Sequence, residues 1–242
     1  MGACTSKNST QVQDPSAPST AGPAGTADSQ LSPPAQTAAS PQAQFLLAVS
    51  EDDVQGVLKF VCPSAAQVYQ ASGSGPDDTD EEEPTSGPRA GDAVRWAHIP
   101  WDACVPPGTW LGITNQLGTP LHIAAGAGAT RALRILLIAA GATHLRPDGS
   151  GHLPLPPPPA DLPKSLCTVV NTRKAGVDET PLHAAARGDT AAAVTAVKLL
   201  LSAGAVKSSS TIFGVTPKQL AVHADVRELL FDEYNELKVW RA

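Results

Sequence analysis

Aromatic side chains are scarce in this 242-residue chain, which has four Trp, two Tyr, four Phe and a single Met. Aromatics bury the most area apiece, so a core must come from Leu, Val, Ile and Ala, which suits small close-packed helices better than a sandwich or barrel. Cysteine is rarer still. Cys4, Cys62, Cys104 and Cys167 lie far apart with no C-x-x-C or Cys/His spacing, so no metal centre is predicted. No stretch is apolar for long enough to span a bilayer; the most apolar segment, 132–142, is short and interrupted by Arg134. A cationic stretch leading into an apolar one is missing at the start. No secretory signal is therefore expected, and the chain reads as intracellular with reduced thiols. A basic surplus is missing too. Of the 23 acids, Asp77, Asp78, Asp80, Glu81, Glu82 and Glu83 form one tract, leaving 17 against 17 Lys and Arg. Nucleic acid is not an expected partner, because phosphates need a cationic surface.

Proline and glycine, at 23 and 20 residues, are plentiful. Residues 8–42 are Ser, Thr, Pro, Ala, Gln and Gly with few large apolar groups, too few to offset ordering entropy, so a disordered linker is expected there. A short pattern then recurs. Val57-Leu58-Lys59-Phe60-Val61, Leu133-Arg134-Ile135-Leu136-Leu137, Val197-Lys198-Leu199-Leu200-Leu201 and Val226-Arg227-Glu228-Leu229-Leu230 are apolar at the first, fourth and fifth positions, the buried stripe of a helix. Thr119-Pro120, Thr180-Pro181 and Thr216-Pro217 precede the last three copies. Threonine suits an N-cap, and proline suits the first helical turn, where it has no N–H to waste. Gly141-Ala142 and Gly204-Ala205 close the middle two, where glycine can turn left-handed at a C-terminus.

Thr119-Pro120-Leu121-His122-Ile123-Ala124-Ala125 and Thr180-Pro181-Leu182-His183-Ala184-Ala185-Ala186 resemble the T-P-L-H-x-A-A signature of the ankyrin repeat. The resemblance implies a β-turn and two antiparallel helices per repeat. It implies an all-α solenoid of stacked helix pairs whose activity is protein–protein interaction, with no cofactor and no small-molecule substrate. It also makes His122 and His183 structural hydrogen-bonding residues. Complete repeats are expected at 117–142 and 178–207, a degenerate N-terminal repeat at 43–62, and a capping repeat at 208–242, where Lys218-Gln219 replaces Leu-His. The family period is about 33 residues, so insertions are implied at 63–116 and 143–177. They leave the stack as loops or each hides a degenerate repeat; the acidic tract in one and the proline run in the other favour loops. A further loop extension is expected at 188–193.

Residues 1–7 read as a lipidation signal, because Met1-Gly2-Ala3-Cys4-Thr5-Ser6 matches M-G-x-x-x-[ST] for myristoylation at Gly2. One myristoyl chain binds membranes only marginally, so Cys4 beside it is the expected palmitoylation site and second anchor. The expected location is the cytoplasmic face of a membrane, held through acyl chains. A soluble cytoplasmic adaptor without lipid is the alternative. Trp96, Trp101 and Trp110 crowd one insertion, either pinning it to the stack or forming an exposed anchor for a partner. Leu155-Pro156-Pro157-Pro158-Pro159 is similar to polyproline ligands of EVH1 domains, with a stiff spacer as the plainer reading. His98, Asp102 and Cys104 lie near one another, but no nucleophile elbow or partner spacing supports a hydrolase, and no catalytic residue is assigned.

Overall fold

The computed structural model describes residues 40–71, 96, 99–147, 155–156 and 158–231. All belong to one of two compact units, Ala39–Ala242. Gly2, Cys4, the acidic tract at 77–83 and Trp240 lie outside the described residues. The described residues form helices and turns without a strand.

Among the described residues, four helix pairs follow one another. The first is α1 (Pro41–Ser50) and α2 (Val54–Val61). Helix α1 begins two residues inside the linker predicted for 8–42. Ser40 accepts a hydrogen bond from the Ala43 amide and Pro41 occupies the first turn, which together start a helix before the apolar residues appear. Helix α3 (Pro63–Ala71), a 3-10 turn at Trp101–Ala103 and α4 (Pro107–Leu111) belong to the first insertion. The second pair is α5 (Pro120–Ala127) and α6 (Thr130–Ala139); a 3-10 turn at Thr143–Leu145 and α7 (Lys164–Val170) follow. The third pair is α8 (Pro181–Ala186) and α9 (Ala191–Ser202), and the fourth is α10 (Pro217–Leu220) and α11 (Ala224–Leu230).

First helices pack on first helices, α1 on α5, α5 on α8 and α8 on α10. Second helices do likewise, α2 on α6, α6 on α9 and α9 on α11. Because α1 touches α5 and α2 touches α6 directly, no helix pair of the 63–116 insertion stands between them among the described residues. The same holds for 143–177, since α5 meets α8 and α6 meets α9. Helix α6 shows what this packing demands of sequence. From Thr130 through Ile138 every residue but Arg131 is buried, as a helix enclosed by neighbours must be. Leu121, Leu136, Leu182 and Leu200 fall in one continuous core.

Of the extension expected as a loop at 188–193, residues 188–190 are loop and 191–193 are helix. Ala191, Ala192 and Ala193 are strong helix formers and begin α9, with the Thr190 side chain capping the Ala193 amide. The three tryptophans pack inward: Trp96 and Trp110 are fully buried and Trp101 nearly so, with the Trp96 and Trp101 rings edge to face. An exposed tryptophan anchor is therefore not what this insertion presents. With so few aromatics elsewhere, these rings supply core area that aliphatic helices cannot.

Candidate interaction surface

The second, third and fourth helix pairs are each entered through a tight turn, and the three turns have a common construction. Asn115 and Gly118 exchange backbone bonds at 3.1 and 3.0 Å, with Gly118 at φ 113°. Lys174 donates to the Glu179 carbonyl at 2.7 Å, and Thr211 to the Val215 carbonyl at 2.9 Å with Gly214 at φ 73°. Adjacent turns touch, since the Ile212 amide donates to the Val177 carbonyl at 3.2 Å.

The residues after each turn explain why the chain needs T-P-L-H there. In α5, Thr119 and His122 cap one another reciprocally, with the ring Nδ1 2.8 Å from the threonine hydroxyl and 3.3 Å from its amide. The other ring nitrogen, Nε2, donates to the Glu179 carbonyl at 2.9 Å. His183 repeats this with Thr180 and reaches the Val215 carbonyl at 3.1 Å. A carbonyl only accepts, so Nε2 carries the proton and Nδ1 accepts from threonine. Both rings are thereby fixed as neutral tautomers. Burial lowers the pKa of His122 and of His183 in the same sense. Thr216 keeps half of the device, with Gln219 Oε1 accepting from its amide at 2.8 Å.

Glu179 and Val215 each directly precede the next Thr-Pro pair, so each histidine ties one pair to the next. One tie spans 57 residues and the other 32. The difference is the second insertion, which leaves and returns without altering the stacking bond. Residues 178–210 match the family model of the ankyrin repeat. The matched segment holds α8, α9 and His183, so it is this helix pair that is similar to an ankyrin repeat, a module of the kind that serves protein–protein interaction. No curated protein matches the chain.

Large apolar side chains stand in water at two of the turns. Leu117 is 64% exposed, Ile212 58% and Phe213 74%. Between them lies the turn of Arg173 and Asp178, an ion pair at 3.5 Å, and the Arg187 guanidinium holds Glu179 as a two-pronged pair. That contact keeps the Glu179 carboxyl below its ordinary pKa. The surface is two apolar turn tips with a turn of paired charges between them. Sequence reasoning missed it, although Ile212-Phe213-Gly214 between two polar stretches was a readable signal.

The polyproline segment is anchored rather than free-standing. Leu155 and Leu162 pack on the core, Pro156 is half-buried, and Pro158 and Pro159 are exposed. Pro157 lies outside the described residues, as does His98. Burial and the Cys62 thiol raise the pKa of Cys104, so its thiol rests protonated. Among the described residues, no His, Cys, Asp and Glu cluster could hold a metal, and no helix is long and apolar enough to cross a membrane.

Proposed function

We propose that this chain is a recruitment adaptor. About four ankyrin repeats form a solenoid that binds a protein partner along its turn tips. An N-terminus acylated on Gly2 and Cys4 holds it to the cytoplasmic face of a membrane. The observation that carries the interaction reading is the exposure of Leu117, Ile212 and Phe213 on turns held by backbone bonds. Apolar side chains on a rigid support lose little entropy on binding and are the usual anchors of an interface. The exposed Pro158 and Pro159 offer a second contact, suited to an aromatic groove.

The interaction is tested by proximity labelling with the wild-type chain and with Ile212→Ser/Phe213→Ser. The labelled set should shrink while helicity and unfolding midpoint stay as they were. An unchanged set would refute the assignment of these tips. The membrane tether is tested separately with an alkynyl myristate. Label on the wild type and none on Gly2→Ala is expected, and an unlabelled wild type leaves the soluble adaptor as the reading.

A further inference from the structure

Two of the four cysteines meet where the first insertion returns to the helix pairs. The Val105 amide donates to the Val61 carbonyl at 2.8 Å, so the chain after Cys104 lies against the chain before Cys62. That single bond holds the two α-carbons within roughly 8 Å in any arrangement of the intervening atoms. Disulfides span about 4.4–6.8 Å, within a small adjustment of that limit. The Cys62 thiol points toward the same loop, 3.8 Å from the Pro100 carbonyl it bonds, and 3.9 Å from the Ser64 hydroxyl. Both sulfurs are free thiols, Cys62 buried and Cys104 half-buried. The Cys62 thiol lies near enough to Cys104 to raise its pKa.

We propose that Cys62 and Cys104 form a reversible disulfide when the protein meets a hydroperoxide, fastening the tryptophan-bearing insertion to the end of α2. Cys104 is the more exposed sulfur and reacts first. Its thiolate attacks one peroxide oxygen, the O–O bond breaks, and a sulfenic acid forms as hydroxide leaves and is protonated to water. The Cys62 sulfur then attacks the Cys104 sulfur, the S–O bond breaks, and a second water carries away the oxygen. In total, two thiols and one hydrogen peroxide give one disulfide and two waters.

The surroundings set the rate. Burial and the neighbouring Cys62 and Asp102 hold Cys104 protonated, and Arg146 opposes them without prevailing. The resting pair is therefore slow to react at neutral pH, and its rate should follow the thiolate fraction upward with pH. Partnering within the pair also protects Cys104 from over-oxidation, because the resolving sulfur is already in place.

The test treats the full chain with hydrogen peroxide, blocks remaining thiols with N-ethylmaleimide and maps the peptides by mass. A 62–104 cross-linked peptide that dithiothreitol reverses is expected, forming about tenfold faster per pH unit between pH 7 and 9. Cys104→Ser should abolish it, and Cys167→Ser should leave it intact. Closing this loop should also raise the unfolding midpoint of the oxidised chain by several degrees. Cys62→Ser sits in the core and is a weaker control, so Cys104→Ser carries the comparison. Sulfinic acid on Cys104 without a cross-link, equal yields of pairs involving Cys167, or a cross-link formed only in urea would each overturn the proposal.

Discussion

Helix α6 begins without a capping side chain of its own, because its N-cap position is Ala129. The cap comes from another helix pair. Asp52, in the turn between α1 and α2, accepts the Ala132 amide at 2.7 Å on Oδ1 and the Arg131 Nε at 2.9 Å on Oδ2. Its carbonyl takes a third bond from Arg131 Nη2 at 3.2 Å. Asp52 sits at φ +57°, a left-handed conformation that aspartate and asparagine tolerate and alanine does not. Three losses can thus be separated by substitution. Removing the cap costs about 1 kcal/mol. The partly exposed ion pair contributes at most about 1 kcal/mol. Forcing alanine left-handed costs roughly another 1 kcal/mol. Asp52→Asn keeps the acceptor and the backbone and loses the charge, so it should cost under about 1 kcal/mol. Asp52→Gly loses cap and charge but not the backbone, for roughly 1–2 kcal/mol, and Asp52→Ala loses all three, for roughly 2–3 kcal/mol. Urea unfolding followed by circular dichroism should rank them Asn, Gly, Ala in order of increasing damage. A double-mutant cycle with Arg131→Ala should return a coupling below about 1 kcal/mol that shrinks in salt. If Ala and Gly were equally mild, the cap between pairs would contribute nothing and the reasoning would fall.

Stability should depend on pH through the buried histidines. Burial lowers the folded pKa of His122, His144 and His183, so the unfolded chain binds protons first. Stability is full above about pH 6.5 and falls as pH drops toward the lowered values, by at most about 1.4 kcal/mol per pH unit for each ring. His183→Gln, which copies the cap made by Gln219, should flatten that slope between pH 5 and 7, and an unchanged slope would refute it. Trp110→Ala should cost about 3–5 kcal/mol and Phe213→Ala under about 0.5 kcal/mol, a contrast that thermal unfolding reads directly and that equal effects would contradict. Asn171→Ala removes bonds to the Gly204 carbonyl and the Val206 amide. It should cost roughly 1–3 kcal/mol and speed hydrogen exchange over α7; unaltered exchange there would show that these bonds do not dock the insertion.

Much of this architecture was legible because it repeats a local instruction. The pentads that begin at Val57, Leu133, Val197 and Val226 became the second helices. The Thr-Pro pairs became the caps, for reasons visible within a few residues. What was not legible is held by bonds between distant residues. Nothing local marks Asp52 as the cap of a helix beginning near residue 130, or Asn171 as the partner of Gly204. The tryptophan cluster was ambiguous for a related reason: a ring's value as core or as anchor depends on what surrounds it, and its neighbours come from helices elsewhere in the chain. The exposed Phe213 shows the converse, since an apolar residue in a three-residue turn has no helix face to join.

The insertions pose a thermodynamic question that the stacking bonds answer. Closing a flexible loop costs entropy that grows only with the logarithm of its length, about 0.6 kcal/mol for each doubling. Lengthening the link between two repeats is therefore cheap, provided the repeats find the same neighbours without it. His122 shows that they do, because it reaches Glu179 across the long link in the same geometry with which His183 reaches Val215 across the short one. The insertion then recovers part of its cost by docking. The His144 Nε2 donates to the Ser202 carbonyl at 3.0 Å, Leu166 is buried, and Asn171 clasps the turn after α9. Gly204, with φ 91° and Leu162 crowding the place a side chain would occupy, lets α7 approach that closely. Length is thus added where the stack does not sense it and tied down where a left-handed glycine leaves room.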